Sequence, residues 1–210
     1  MKKMVSFFFA CAVLPLLAVD FDFTANPPVA KGKVPMMKLD ASQKIGGSAG
    51  KTALHMDGKE KALNITGTGN FTLDKGLTAA FDIVLEKKEG KKNFHMLLMK
   101  KREWLIGVED NRLYINFFDG KKWMPGYYCR ANFSQPARWV ITISQGLKIK
   151  IWRDGKLYHT GTMATWGAQP ATGTADVSFG CTWGSWGVQG DLYRLRIADG
   201  VLDEAAILEF

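Results

Sequence analysis

Residues 139–156 read WVITISQGLKIKIWRDGK, and this stretch decides the fold class. Trp139, Ile141 and Ile143 alternate with Val140, Thr142 and Ser144, and Ile149 and Ile151 alternate with Lys148, Lys150 and Trp152. A two-residue period in β-branched and aromatic side chains is the signature of a half-buried strand. The same period runs outward along the chain. Leu77, Ala79, Phe81, Ile83 and Leu85 alternate with Thr78, Ala80, Asp82, Val84 and Glu86. Leu113, Ile115 and Phe117 alternate with Tyr114, Asn116 and Phe118. Asp57-Gly58, Asp119-Gly120, Asp154-Gly155 and Asp199-Gly200 punctuate the runs as turns. No amphipathic helix separates these strands, which predicts an all-β fold of antiparallel sheets packed as a two-sheet sandwich. One short C-terminal helix is expected, opened by Asp203 and Glu204 and continued by Ala205, Ala206, Ile207 and Leu208.

Of the 210 residues, 47% are hydrophobic and 23% charged. That balance belongs to a globular chain and excludes disorder, collagen and coiled coil. Residues 1–18, MKKMVSFFFACAVLPLLA, place two lysines before an apolar run and a small residue at its end, the order of a secretory signal peptide. The run is short for a bilayer span and Pro15 interrupts it late. The expectation is a leader over 1–18 and one domain over 19–210 without a membrane span, secreted, periplasmic or at the cell surface. Export leaves Cys129 and Cys181, a pair for which an oxidising compartment favours a disulfide. With no histidine beside them they make a poor zinc site.

Five segments carry a family resemblance. They are Phe21-Asp22-Phe23; Ala53 to Gly58 with Leu63-Asn64-Ile65; Asn70 to Leu73 with Leu77 to Phe81; Trp139 to Thr142 with Ile149 to Lys156; and Gly190 to Ile197 with Leu202-Asp203. In this order they resemble a concanavalin A-like jelly roll of the laminin-G-like, pentraxin-related kind found in secreted bacterial proteins. The resemblance implies a curved sandwich of roughly twelve strands. Arg153 stands where the family usually has an apolar residue, and segment 163–190 has no clear family counterpart. The scaffold carries lectins, adhesion modules and glycosidases alike, so the function has to come from a site.

No catalytic constellation is assigned. Retaining glycosidases need two carboxyl groups about 5 Å apart. Asp82 and Glu86, the nearest approach to such a pair, are separated on one face by Val84. His55, His95 and His159 lie far apart without metal-ligand spacing. Gly46 to Thr52 imitates a phosphate-binding loop, but Ile45 stands where its first glycine belongs and a strand, not a helix, follows. Calcium could draw oxygen ligands from Asp40, Asp57 or Glu60, yet no spacing defines a calcium loop, so no cofactor or metal is assigned.

What remains is a binding surface. Trp104 and Trp139 begin strands and are expected in the core, whereas Trp123, Trp166, Trp183 and Trp186 sit among Gly, Ser and Thr in loop-like contexts. Flat rings stack on the C–H faces of sugars. Trp123, Tyr127, Trp183 and Trp186 are therefore the expected stacking residues, with Lys121 and Lys122 supplying charge for anionic glycans. Lysine runs at 87–92 and 100–102 read as solvated, the first as a hairpin tip. Nucleic acid is not an expected partner, because the chain carries no nucleic-acid-binding motif. The expected function is a non-catalytic module for extracellular or cell-surface glycans. A cell-envelope adhesion or protein-interaction module comes second, and a glycoside hydrolase or lyase third.

Overall fold

The computed structural model describes residues 18–25, 29–31, 44–46, 52–58, 63–88, 93–180 and 186–209. Fifteen strands and one helix occur among them. In chain order the strands are β1 Ala18–Asp22, β2 Val29–Lys31, β3 Lys44–Gly46, β4 Ala53–Asp57 and β5 Leu63–Ile65. β6 Leu77–Leu85, β7 Phe94–Lys100, β8 Trp104–Glu109, β9 Arg112–Phe117 and β10 Tyr127–Arg130 follow. β11 Ala137–Ile143, β12 Lys148–Arg153, β13 Lys156–Thr162, β14 Val177–Phe179 and β15 Gln189–Asp199 lead to helix α1, Glu204–Glu209. The larger sheet runs β13-β12-β11-β6-β15-β1-β2, with β4 and β3 added beside the start of β15, and the smaller runs β10-β9-β8-β7-β14-β5. Every pairing is antiparallel. This is the two-sheet sandwich with a terminal helix expected from the alternation.

One residue parity of each strand forms the core. Phe81, Trp139, Ile141, Ile149, Ile151, Leu195 and Ile197 of the larger sheet meet Leu98, Trp104, Ile106, Leu113, Ile115 and Phe117 of the smaller. Trp104 and Trp139 are fully buried, as their strand positions predicted. The opposite parity on the larger sheet, Ala80, Val140 and Trp152, is covered by Ile207 of α1. The Asp203 carboxylate accepts from the Ala206 amide at 2.8 Å and caps that helix. Arg153 lays its guanidinium 5.4 Å from the centroid of the Trp139 ring, which accounts for a cation where an apolar residue was expected. The glycines of the four Asp-Gly turns have φ between 77° and 97°, the left-handed conformation for which glycine has no steric penalty.

Three expectations concern the cysteines and the lysines. Cys129 is a buried free thiol on β10, and burial pushes its pKa up to about 11. Cys181, the other half of the expected disulfide, lies outside the described residues, and no disulfide is seen among the described ones. Two corrections concern lysines read as solvated. Lys100 is completely buried, and its ammonium donates to the carbonyls of Gly69 and Gly173 at 2.7 and 2.9 Å and pairs with Glu103 at 2.8 Å. Lys88 is also buried and donates to the carbonyls of Phe94 (2.6 Å) and Gly187. Each ammonium ties a loop to the sheet, Gly173 in one case and Gly187 in the other.

Ala18, the last residue of the expected leader, is the first of β1 and pairs with Ala198. Residues 1–17 lie outside the described residues.

Removing one member of a buried ion pair strands the other charge, at a cost of about 3–5 kcal/mol. Lys100→Met and Glu103→Gln should each approach that loss in chemical denaturation, and Lys100→Met with Glu103→Leu should recover part of it. Single variants as stable as the parent chain would show that the pair fastens nothing.

His95 gives a pH signature. Burial first, and then the Lys88 charge, lower its pKa from 6.5 to about 3, so the folded chain holds a neutral imidazole. Its Nε2 side meets the Asn93 amide oxygen at 3.1 Å and its Nδ1 accepts from the Gln189 amide at 3.2 Å. The unfolded chain takes up this proton first, so stability is complete above the unfolded pKa of 6.5 and falls with pH from there toward 3. The loss has an upper slope of about 1.4 kcal/mol per pH unit. His95→Gln should flatten the denaturation midpoint between those limits, and an unchanged pH dependence would refute this assignment.

Candidate functional site

The outward parity of the smaller sheet does not face water freely. Phe94, Met96 and Leu105 form a second apolar cluster there, with Met99, Tyr114, Trp123 and Trp186 packed against it. Strand register builds this surface: Tyr114 of β9 faces Gly107 of β8 on one side and Tyr128 of β10 on the other. Two glycines make room for rings. A Cβ on Gly107 would lie 2.7 Å from the Phe94 ring, and one on Gly126 would lie 1.8 Å from the ring of Tyr114.

A cavity of about 340 Å³ opens over these rings, lined by Phe94, Leu105, Glu109, Tyr114, Asn116, Trp123, Tyr128 and Trp186. The rings brace one another. Tyr114 and Tyr128 lie 4.7 Å apart between centroids, Phe94 and Trp186 5.3 Å, and Phe94 and Tyr114 5.8 Å. Trp123 is held from behind by Phe118, ring to ring at 5.7 Å, through the isolated bridge between the two residues. Asn116 donates from Nδ2 to the Tyr114 hydroxyl at 2.6 Å, while its own oxygen accepts from the Phe117 amide at 2.7 Å. Burial raises the Tyr114 pKa, so this phenol stays neutral. Burial and the neighbouring Glu109 charge do the same for Tyr128.

The expected site residues divide. Trp123 and Trp186 line the cavity together. Tyr127 faces the other way: it packs against the core and hydrogen-bonds His159 of β13 at 2.6 Å. Its neighbour Tyr128 takes the outward position, 44% exposed. Trp183 lies outside the described residues. Lys121 and Lys122 are exposed on the turn before Trp123, where their amides donate to the Asp119 carboxylate, but neither lines the cavity. Phe94, Glu109 and Tyr128 were not anticipated as site residues. Tyr114 was visible in the alternation, because Leu113, Ile115 and Phe117 inward put Tyr114 and Asn116 outward.

A larger cavity, about 630 Å³, lies beside α1 on the other sheet and includes Asp82, Arg138, Asp154 and Tyr193. Its strongest charges are already matched. Arg138 holds Asp82 through two hydrogen bonds of 2.8 and 2.9 Å. Beside it, Arg194 holds Asp20 at 2.8 and 2.6 Å; burial raises the Asp20 pKa, but the two arginines at 194 and 196 outweigh it and keep the group below the usual range. Glu86, the other acid considered for catalysis, accepts from the Gln189 side chain at 3.3 Å. Among the described residues no group of three or more His, Cys, Asp or Glu is arranged to hold a metal. Of the three acids considered for calcium, Asp57 ends β4, and Asp40 and Glu60 lie outside the described residues.

No family model matches the sequence, and no curated protein matches it. Solved structures do share the fold. The chain superimposes on the binding domain of botulinum neurotoxin serotype G with a TM-score of 0.68 at 10% identity, covering 91% of this chain and 49% of that one. It is similar to the binding domain of botulinum neurotoxin DC, solved with rat synaptotagmin II, at 0.63 and 12%, covering 91% and 50%. It is also similar to a botulinum neurotoxin type C structure, described as depending on two ganglioside molecules to enter cells, at 0.56 and 12%, covering 91% and 49%. The chain thus spans about half the length of these structures, and at such identities the likeness is one of fold.

Proposed function

We propose that the chain is a secreted, non-catalytic carbohydrate-binding module whose ligand sits in the aromatic cavity of the smaller sheet. The observation that carries this reading is the convergence of Phe94, Tyr114, Trp123, Tyr128 and Trp186 around one open cavity with a carboxylate and a side-chain amide. A pyranose offers an apolar C–H face and a rim of hydroxyls. The rings suit the face; Glu109, Asn116 and the two phenols suit the rim. The volume falls in the range of about 300–1,000 Å³ typical of small-ligand sites. Interlocked rings and a buried amide are set before the ligand arrives, so little conformational entropy is lost on binding. The receptor-binding domains of similar fold, one tied to gangliosides and one to a protein, support a recognition role on this scaffold.

A second reading, an adhesion module for protein partners, is favoured by Leu157 and Tyr158, which are 52% and 46% exposed on the edge strand β13. An edge strand offers unpaired backbone groups to an incoming strand.

A glycan array probed with the purified chain tests the first reading. Binding should appear and should weaken by about tenfold or more in Trp123→Ala with Tyr128→Ala, since the apolar sugar face would lose both rings that bury it, at about 25 cal/mol per Å² of apolar surface. Gly126→Ala should act similarly by displacing Tyr114. Absence of glycan binding, or binding indifferent to all three changes, would overturn the assignment, and release of reducing sugar would replace it with a hydrolase.

A further inference from the structure

The cavity has a sign. Glu109 supplies its carboxylate, and among the described residues no lysine, arginine or histidine lines it. The aromatic faces add to this, because a ring presents its negative quadrupole to whatever lies above it. The protein already places a cation at the rim. The guanidinium of Arg112 lies 4.9 Å from the Tyr128 ring centroid and its Nη2 stands 3.3 Å from Glu109 Oε2. That contact is long and exposed, with 48% of the Arg112 side chain open to solvent. Such surface pairs contribute little, at most a weak hold that a ligand can displace.

Resting on the glycan reading above, we infer that the cavity selects a sugar bearing a free, protonated amine rather than an anionic one. The pyranose face lies on Trp123 and Tyr128, and the ammonium takes the place beside Glu109 that Arg112 now holds. A protonated amine gains from both partners at once, the carboxylate by charge-assisted hydrogen bonding and the ring faces by cation–π attraction. An N-acetylated sugar of the same shape keeps the stacking and loses both gains. A uronic or sulfated sugar would meet the Glu109 charge at close range. Lys121 and Lys122 stand on the turn before Trp123 and do not line the cavity.

The test is calorimetric titration of the chain with the fully deacetylated trimer of glucosamine and with its fully N-acetylated counterpart, at a pH where the amine is protonated. The deacetylated trimer should bind about tenfold more tightly. Glu109→Gln should bring the two within about twofold of each other, Tyr128→Ala should weaken both, and Arg112→Ala should tighten the deacetylated trimer alone. Equal affinities, a preference for the acetylated trimer, or a preference surviving Glu109→Gln would overturn the inference. Binding of neither trimer, while another glycan still requires Trp123 and Tyr128, would overturn the amine selection and leave the glycan reading standing. Failure of every glycan would remove both.

Discussion

Burial of one parity of residues on each sheet is the constraint on which everything else in this protein depends. Once Leu113, Ile115 and Phe117 are committed to the interior, Tyr114 and Asn116 have to point outward. Once Cys129 pairs with Leu113 and turns inward, Tyr128 has to stand beside Tyr114. A slip of one residue in the β9–β10 pairing would exchange Tyr127 for Tyr128 and dismantle the cavity. The site is therefore a consequence of core packing: the residues that fill the interior also aim the rings.

Two lysine ammoniums complete the arrangement. A buried ammonium has to find acceptors, and the acceptors within reach of Lys88 and Lys100 are loop carbonyls. Lys88 fastens the carbonyl of Gly187, and with it the segment that carries Trp186 onto Phe94. Lys100 fastens Gly173, from a segment whose Ala171 amide also bonds the carbonyl of Phe118, the residue behind Trp123. Both walls of the cavity thus trace back to a buried charge. Directional polar contacts achieve here what apolar packing cannot, since a Gly- and Thr-rich loop has few side chains to bury.

The larger sheet shows the contrasting use of charge. There Arg138 with Asp82, and Arg194 and Arg196 with Asp20, neutralise one another across neighbouring strands. Charges that complete their own hydrogen bonding have little left to offer a ligand, whereas the loosely paired Glu109 keeps its acceptor capacity. This difference, more than cavity size, separates the aromatic site from the larger cavity beside α1.

The sequence by itself determined the class of fold, the strand faces and the turns, because these follow from local rules: period two, β-branched enrichment and glycine after aspartate. Trp104 and Trp139 were assigned to the core on that basis, and α1 from its acidic start. The partner of each strand was decided only by the tertiary structure. Tyr127 and Tyr128 are chemically identical neighbours, and only the register with β9 separates the inward ring from the outward one. Lys88 and Lys100 look like any solvated lysine, and only carbonyls up to ninety-nine positions distant in the chain make their burial tolerable. The disulfide looked reasonable from cysteine count and compartment, yet Cys129 on β10 is a buried free thiol. Local chemistry is written in the chain, but which side chains meet across the sheets depends on packing that no short stretch contains.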